Sequence, residues 1–265
     1  MKYRVITTYN EKGGVGKSAS TAHLAFSLAH FGKVLVIDGD PQGDVSKHFI
    51  DPILIQNHQK TFGSLLLDFS TFPETVLCVR PETDSFKGLY LLGTYADDRS
   101  LNQFIQTEIN NKPRKIKSVI KEALISGFDY VLIDLPSLWD HYHQLVLECC
   151  NFIIPTIHCE TLAIGHMLNL IDKLKIHREN YEATYDLKLI IANAFDKDSA
   201  QQREYLKALN DIDFLKTLVC PISYEVAKAP INHQVVQEFK KSHSVVTFYN
   251  DLALEIHNLN AEGDK

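Results

Sequence analysis

Short apolar runs alternate with amphipathic stretches along most of the chain. Residues 3–9 are rich in β-branched and aromatic side chains, a composition typical of a buried strand. Residues 18–31 place apolar side chains at helical spacing, and Gly32 is a helix stop signal. Residues 33–37 indicate a second buried strand. Strands that are apolar throughout and alternate with helices predict a parallel sheet covered by helices on both faces.

The same pattern predicts the remaining elements. Further strands are expected at 89–92, 130–133, 152–154, 187–192 and 218–220. Helices are expected at 101–109, 114–126, 162–177, 201–209 and 245–259. Residues 57–80 carry no clear pattern. Because no repeat and no linker rich in Pro, Gly or Ser divides residues 1–265, we expect a single α/β domain with a mostly parallel, twisted sheet.

Charge and apolar run length exclude some classes of function. Lys and Arg number 27 against 33 Asp and Glu, which gives a net charge of −6. A globally basic surface for nucleic acid is therefore absent, and contact with DNA would need a local patch. No apolar run approaches the roughly 18 residues of a membrane helix, and the N-terminus lacks signal-peptide features. We expect a cytoplasmic protein that does not bind a membrane.

The cysteines and neighbouring histidines indicate no metal site. The five cysteines include one adjacent pair and no CxxC, so mostly buried free thiols are expected. His141 and His143, with Cys149 and Cys150 nearby, lack the paired spacing of a zinc site. We interpret these four residues as loop and helix surface.

The clearest chemical motif lies between the first predicted strand and the first predicted helix. From Lys12 to Ser18 the chain reads KGGVGKS, in the context that a phosphate-binding loop requires. Glycines let backbone N–H groups turn inward around an anion, and the helix N-terminus adds partial positive charge. Lys17 can reach the β- and γ-phosphates of a nucleotide, and the Ser18 hydroxyl can ligate Mg²⁺.

The loop departs from the general phosphate-loop pattern because a second lysine, Lys12, stands at its head. In this form the chain resembles the ParA/MinD/Soj family of deviant Walker ATPases over nearly its whole length. The resemblance implies a P-loop fold that binds ATP or ADP with Mg²⁺, and a Lys12 that reaches the phosphates of a second subunit in an ATP-bound homodimer. The loop residues that it assigns to the nucleotide are Lys12, Gly13, Gly14, Val15, Gly16, Lys17, Ser18 and Ala19.

Two further motifs support this resemblance. DGDPQG follows the second predicted strand, and carboxylates at the carboxyl end of a strand lie near a ligand crevice. The resemblance places Asp40 near the γ-phosphate and the attacking water, and Asp38 in support of the loop and the Mg²⁺ shell. Another strand ends at Asp134, which is expected to hold Mg²⁺. Leu135 and Ser137 after it depart from the family's usual DTPP.

The C-terminal half resembles the family more loosely. Asn193 ends a strand whose asparagine contacts the base in the family, and Pro221 and Ser223 lie in a segment that packs along the adenine. The family's chromosomal members bind DNA non-specifically through arginines near this surface. Here the corresponding positions hold Ile222, Glu225 and Asp198, so we expect the familiar surface to bind DNA poorly.

A different surface is therefore expected to contact DNA. The best compact basic patch comprises Lys112, Arg114, Lys115 and Lys117, helped by Lys240 and Lys241.

The resemblance implies an ATP-switched partition protein whose slow hydrolysis is stimulated by a ParB-like centromere-binding partner. The alternative is a ParA/MinD-like ATPase that positions another cargo without touching DNA. A polar, acidic tail at 258–265 argues against a MinD-like membrane role, and the cysteine placement argues against metal-cluster chemistry. Intact Lys12, Lys17, Asp40 and Asp134 argue against a module that has lost turnover. Because the first predicted strand begins at Tyr3, no N-terminal helix-turn-helix extension is expected.

Overall fold

The strands form one sheet. The computed structural model describes residues 4–96, 98–160 and 163–262. Within these ranges the strands are β1 (Val5–Tyr9), β2 (Val34–Asp38), β3 (Leu77–Arg80), β4 (Leu89–Leu92), β5 (Tyr130–Asp134), β6 (Phe152–His158), β7 (Leu189–Phe195) and β8 (Lys216–Pro221). Their order across the sheet is β3-β4-β2-β5-β1-β6-β7-β8, and every neighbouring pair is parallel except β3 with β4.

Helices connect most of the strands. They are α1 (Lys17–Leu28), α2 (Pro52–His58), α3 (Phe62–Leu66), α4 (Phe72–Thr75), α5 (Arg99–Gln103), α6 (Lys115–Ile125), α7 (His141–Leu147), α8 (Ala163–Asn180), α9 (Ala200–Asn210), α10 (Tyr224–Lys228), α11 (Val236–Phe239) and α12 (Ser244–Glu262). A π-helical turn, Phe104–Glu108, continues α5, and 3₁₀ turns occupy Ser46–His48 and Ala229–Asn232. Across the described ranges, no helix combines the length and apolar character needed to cross a membrane.

Apolar side chains fill a layer on each face of the sheet, which confirms the predicted α/β class with its mostly parallel sheet. Along β1, Val5 and Tyr9 join one cluster whereas Ile6 joins the other, as the alternation of a strand requires. Helices α6, α7 and α8 cover the first face, and α1 and α12 cover the second. The two buried layers hold the strands rigid, so their carboxyl ends form a fixed edge.

The structure differs from the sequence pattern in a few places. The first helix ends at Leu28 rather than at residue 31, because the N–H groups of Phe31 and Gly32 both close turns onto the Leu28 carbonyl. The stretch without a pattern, residues 57–80, holds the end of α2, the short helices α3 and α4, and β3. That strand is an antiparallel edge strand whose residues are only partly buried, so its apolar signal is weak. The predicted helix start at residue 162 lies outside the described residues.

Candidate nucleotide-binding site

A tight loop joins β1 to α1. Gly14 and Gly16 have φ values of +74° and +88°, in the left-handed region that favours glycine. A Cβ on Gly16 would also lie 2.1 Å from Nδ2 of Asn193, so this position admits no side chain without rearrangement. Gly16 is the N-cap of α1, and the unpaired N–H groups of the first turn therefore face the loop. The result is an anion-binding concavity at the carboxyl edge of the sheet.

The ammonium group of Lys17 is buried within this loop. Its Nζ donates to the Ser137 hydroxyl at 2.5 Å and to the Lys12 carbonyl at 3.3 Å. Burial lowers the pKa of Lys17, whereas the nearby carboxylates of Asp134 and Asp40 act to raise it. A desolvated ammonium with carboxylates nearby is suited to compensate the charge of a phosphate.

Asp134, at the carboxyl end of β5, has a buried carboxylate near the Lys17 ammonium. The side chain is fully buried, and neither oxygen has a hydrogen-bond partner of good geometry among the described residues. Burial raises the pKa of Asp134 to about 7, although the neighbouring Ser18 hydroxyl acts in the opposite direction. A buried carboxylate without a partner, next to a hydroxyl at a helix N-terminus, is the donor set that a hard divalent cation fits. Two of the three predicted Mg²⁺ ligands, Ser18 and Asp134, therefore lie together.

Asp38 pairs in register with Asp134 on the adjacent strand, but its carboxylate already has partners. It accepts from the Ser46 hydroxyl at 2.5 Å and from the N–H groups of Ser46 and Asp40 at 3.0 and 3.2 Å. Burial and the charge of Asp134 raise its pKa well above the usual range. These bonds brace the turn that presents Asp40. Ligation of Mg²⁺ by Asp38 stays a prediction, and it would require the exchange of one of these bonds.

A cleft of about 600 Å³ opens above these residues at the carboxyl ends of the strands. Asp40 lies on its wall, and burial raises the pKa of this carboxyl even though the Gln42 N–H donates to it at 2.9 Å. The predicted nucleotide-contacting residues that line the cleft are Gly13, Gly14, Gly16, Lys17, Ser18, Ala19, Asn193, Pro221 and Ser223.

Two predicted contact residues stand apart from the cleft. The side chain of Val15 is buried in the protein, so only its backbone faces the loop. Lys12 reaches outward, where its ammonium forms an exposed ion pair with Glu160 at 2.5 Å. Neither residue lines the cleft, and the predicted contact of Val15 with the nucleotide stays a prediction. The role of Lys12 across a dimer remains a prediction.

Asn193 braces the loop from β7. Its side-chain amide donates to the Val15 carbonyl at 2.9 Å, which holds the loop against the sheet. The predicted contact of Asn193 with the base stays a prediction. Ser223 caps α10 by accepting from the Glu225 N–H at 3.1 Å, and it lines the far end of the same cleft.

Sequence reasoning missed two partners of the loop lysines. Ser137 had been identified only as a departure from the family pattern, yet its hydroxyl contacts Lys17. Glu160 lies just past the end of β6 and gave no signal, because its contact with Lys12 joins residues 148 positions apart. A departure at a motif position can therefore indicate a function, whereas a long-range ion pair on the surface has no sequence signature.

Several hydrogen bonds hold the segment that follows Asp134, residues 135–143, against the rest of the protein. The buried His143 ring contacts the Asp140 carboxylate at 2.6 Å and the Pro136 carbonyl at 3.1 Å. The Tyr9 hydroxyl donates to the carbonyl of Leu138. Across the described ranges, no group of three or more His, Cys, Asp or Glu side chains is arranged to hold a metal ion, and Cys149 and Cys150 are free thiols. His143 and Cys150 are both buried, so the interpretation of these two residues as loop and helix surface was wrong.

Comparison with known proteins gives the family. The profile of a family described as "AAA domain" matches residues 3–187, well over half of the chain. This chain belongs to that family. Together with its relatives, the match confirms the resemblance to P-loop ATPases of the ParA/MinD type.

Individual relatives are distant in sequence. Soj, the sporulation initiation inhibitor protein of Bacillus subtilis, is 22% identical over 264 residues, which cover 96% of this chain and 98% of Soj. An uncharacterized protein of Mycobacterium tuberculosis is 25% identical over 77% of this chain, but the match spans only 62% of that relative's length. Among solved structures, a Borrelia burgdorferi putative plasmid partition protein bound to AMPPNP superposes with a TM-score of 0.76 at 22% identity, covering 98% of this chain and 100% of the other.

Proposed function

We propose that this protein is an ATPase that binds ATP with Mg²⁺, dimerises in the ATP-bound state and hydrolyses ATP slowly until a partner protein stimulates it. The observation that carries the proposal is the pairing of two buried charges around Ser18. The Lys17 ammonium and the Asp134 carboxylate are both buried, and neither Asp134 oxygen has a hydrogen-bond partner of good geometry among the described residues. The ammonium is suited to the charge of a phosphate and the carboxylate to a divalent cation, so a nucleotide with Mg²⁺ would engage both.

Each residue of the site has its own proposed role in binding and hydrolysis. The loop N–H groups and Lys17 would bind the phosphates, and Ser18 and Asp134 would hold Mg²⁺, which neutralises charge on the β- and γ-phosphates. Asp40, on the cleft wall, would orient the attacking water. AMPPNP bound to the Borrelia protein supports ATP as the nucleotide, and Mg-ADP bound to the septum site-determining protein MinD of Pyrococcus horikoshii supports ADP. Asn193, Pro221 and Ser223 would lie along the base.

We further propose that the ATPase cycle serves DNA partition. That role is supported by the chromosome partitioning protein ParA of Caulobacter vibrioides, which is 23% identical over 86% of this chain, and by the Borrelia putative plasmid partition protein, which has this fold. A ParB-like centromere-binding protein would be the stimulating partner. Dimerisation would bring Lys12 to the partner subunit's phosphates, and Glu160 would release it.

A second candidate is the positioning of a cargo other than DNA. The surface where the family's DNA-contacting arginines are expected carries Ile222, which is 56% exposed, next to Tyr224, which is 83% exposed. Glu225, which follows Tyr224, pairs with Lys240 at 2.7 Å, which neutralises a cation counted in the predicted patch. An apolar, charge-balanced surface suits a protein partner better than a phosphate backbone.

Two variants test the proposal. Lys17→Ala should abolish ATP binding in a nucleotide titration, because the loop then lacks its compensating cation. Asp40→Ala should still bind MgATP but accumulate as an ATP-bound dimer in sizing experiments, since water would no longer be oriented. Unchanged ATP affinity in the first variant, or wild-type turnover in the second, would contradict the assignments. Gel shifts in ATP and in ADP then distinguish partition from the second candidate, which requires no DNA binding.

A further inference from the structure

The predicted basic patch divides into two groups with different surroundings. Lys112 donates to the Asp68 carboxylate at 2.9 Å, and Lys115 donates to the other oxygen of the same carboxylate. These contacts hold the pKa of Asp68 below its usual range. Both lysines are therefore engaged with an acidic side chain.

The other group lines a groove between α6 and α7. Arg114, Lys117 and Lys121 lie three and four residues apart, which places them on one side of α6. The groove has a volume of about 560 Å³, with Leu145 and Cys149 of the α7 region on its opposite wall. Glu148 is the one carboxylate lining it among the described residues, and burial raises its pKa, although Lys117 acts to lower it. The groove is thus a local excess of positive charge on an acidic protein.

We infer that this groove, and not the predicted patch as a whole, binds the phosphate backbone of DNA. The inference rests on the proposed partition function and assigns its DNA surface. Lys117 and Lys121 are separated by one helical turn, about 6 Å along α6, so both can contact neighbouring phosphates of one strand. Lys121 was not part of the predicted patch, but it lines the groove. Lys112 and Lys115, which were part of the patch, contact Asp68 instead.

The lining of the groove favours DNA over an acidic protein segment. Protein partners are usually anchored by aromatic or large apolar side chains in a desolvated pocket. None of the described residues lining this groove is aromatic, and its cations are carried on long, exposed side chains. Exposed cations of this kind gain affinity by releasing counterions from a nucleic acid.

The experiment compares two double variants that remove the same charge from the same region. Lys117→Ala/Lys121→Ala removes two groove cations, and Lys112→Ala/Lys115→Ala removes the two lysines bound to Asp68. The full-length protein with MgATP is titrated with a random-sequence duplex over a range of salt concentrations. The groove variant should bind more weakly, and the slope of log affinity against log salt should become less negative by about 2. The control variant should stay close to wild type in both quantities.

Three outcomes are decisive. Equal losses in the two variants would overturn the inference, because general charge would then explain the binding. Tighter binding of polyglutamate than of the duplex at matched charge concentration, lost in the groove variant, would make the groove a site for acidic protein and would also overturn it. A wild-type protein that hydrolyses ATP but binds no DNA in ATP would remove the partition role itself. Unchanged ATP affinity in both variants shows that neither substitution disturbed the fold.

Discussion

The Lys17 ammonium and the Ser137 hydroxyl, 120 positions apart in the chain, are joined by a hydrogen bond of 2.5 Å inside the nucleotide cleft. Ser137 also lies against the loop backbone, since its Oγ is 3.7 Å from where a Cβ on Gly13 would stand. The turn after β5 is therefore connected to the phosphate loop through Lys17, the side chain proposed to contact phosphate. Ser137 thereby positions Lys17.

Replacing Ser137 tests this positioning role. Ser137→Ala should lower kcat for ATP hydrolysis about tenfold, because small displacements of a positioned charge are costly in phosphoryl transfer, while KM changes less than about threefold. Ser137→Thr keeps the hydroxyl and should recover most of the activity. Ser126→Ala removes an exposed hydroxyl at the end of α6 and should behave as wild type. A threonine variant as slow as the alanine variant would show that the hydroxyl is not the relevant group.

Neutralising Asp134 should separate stability from function. In Mg²⁺-free buffer at pH 8, Asp134→Asn should raise Tm, because it removes a buried carboxylate that lacks a partner. The pKa rise from 3.8 to about 7 corresponds to roughly 4 kcal/mol at most. The same variant should lose the stabilisation that Mg²⁺ with ATP gives the wild type. A lower Tm without Mg²⁺ would mean that the carboxylate has a stabilising partner.

Releasing Lys12 from Glu160 should favour the dimer. The two side chains are 48% and 52% exposed, so their ion pair is readily exchanged for a phosphate. Glu160→Gln should therefore shift ATP-dependent dimerisation, measured by sizing, to lower protein concentration. Lys12→Ala should bind ATP and stay monomeric, and Lys173→Ala, which removes a nearby lysine paired with Glu11, is the matched control. ATP-dependent dimers of Lys12→Ala would refute the role of Lys12 across the dimer.

Two buried histidines predict acid sensitivity. Burial lowers the pKa of His23 to about 3 and that of His48 to about 4, both below the usual 6.5. Between each lowered pKa and 6.5, the histidine is neutral in the folded state and protonated in the unfolded state. The free energy of unfolding therefore falls as pH drops below about 6.5. Each histidine should lower the free energy of unfolding by up to about 2 kcal/mol between pH 7 and pH 5.

Denaturant unfolding of variants checks this pH dependence. His23→Gln loses the bond from the Val236 N–H to the His23 ring and should be less stable at neutral pH. Its stability should nevertheless fall less between pH 7 and pH 5 than that of the wild type. His58→Gln, at an exposed position, should keep the wild-type slope. Parallel pH profiles for His23→Gln and wild type would assign the acid sensitivity to other groups.

Local pattern alone determined the parallel sheet, the position of the phosphate loop and the carboxylates at the ends of β2 and β5. Apolar strands alternating with amphipathic helices permit few other architectures, and a glycine-rich turn between a strand and a helix creates an anion site by its own geometry. The edge strand β3 was not predicted, because its side chains are only partly buried and alternate weakly in polarity.

Only the tertiary structure decided which partner each functional side chain has. Lys17 contacts Ser137, Asn193 braces Val15, Lys12 pairs with Glu160, and Asp68 engages two lysines of a patch that the sequence presents as uniform. These contacts join residues that lie 44 to 178 positions apart. Composition and periodicity indicate the secondary structure of a segment. Which group a charged or polar side chain contacts depends on the elements that folding brings beside it.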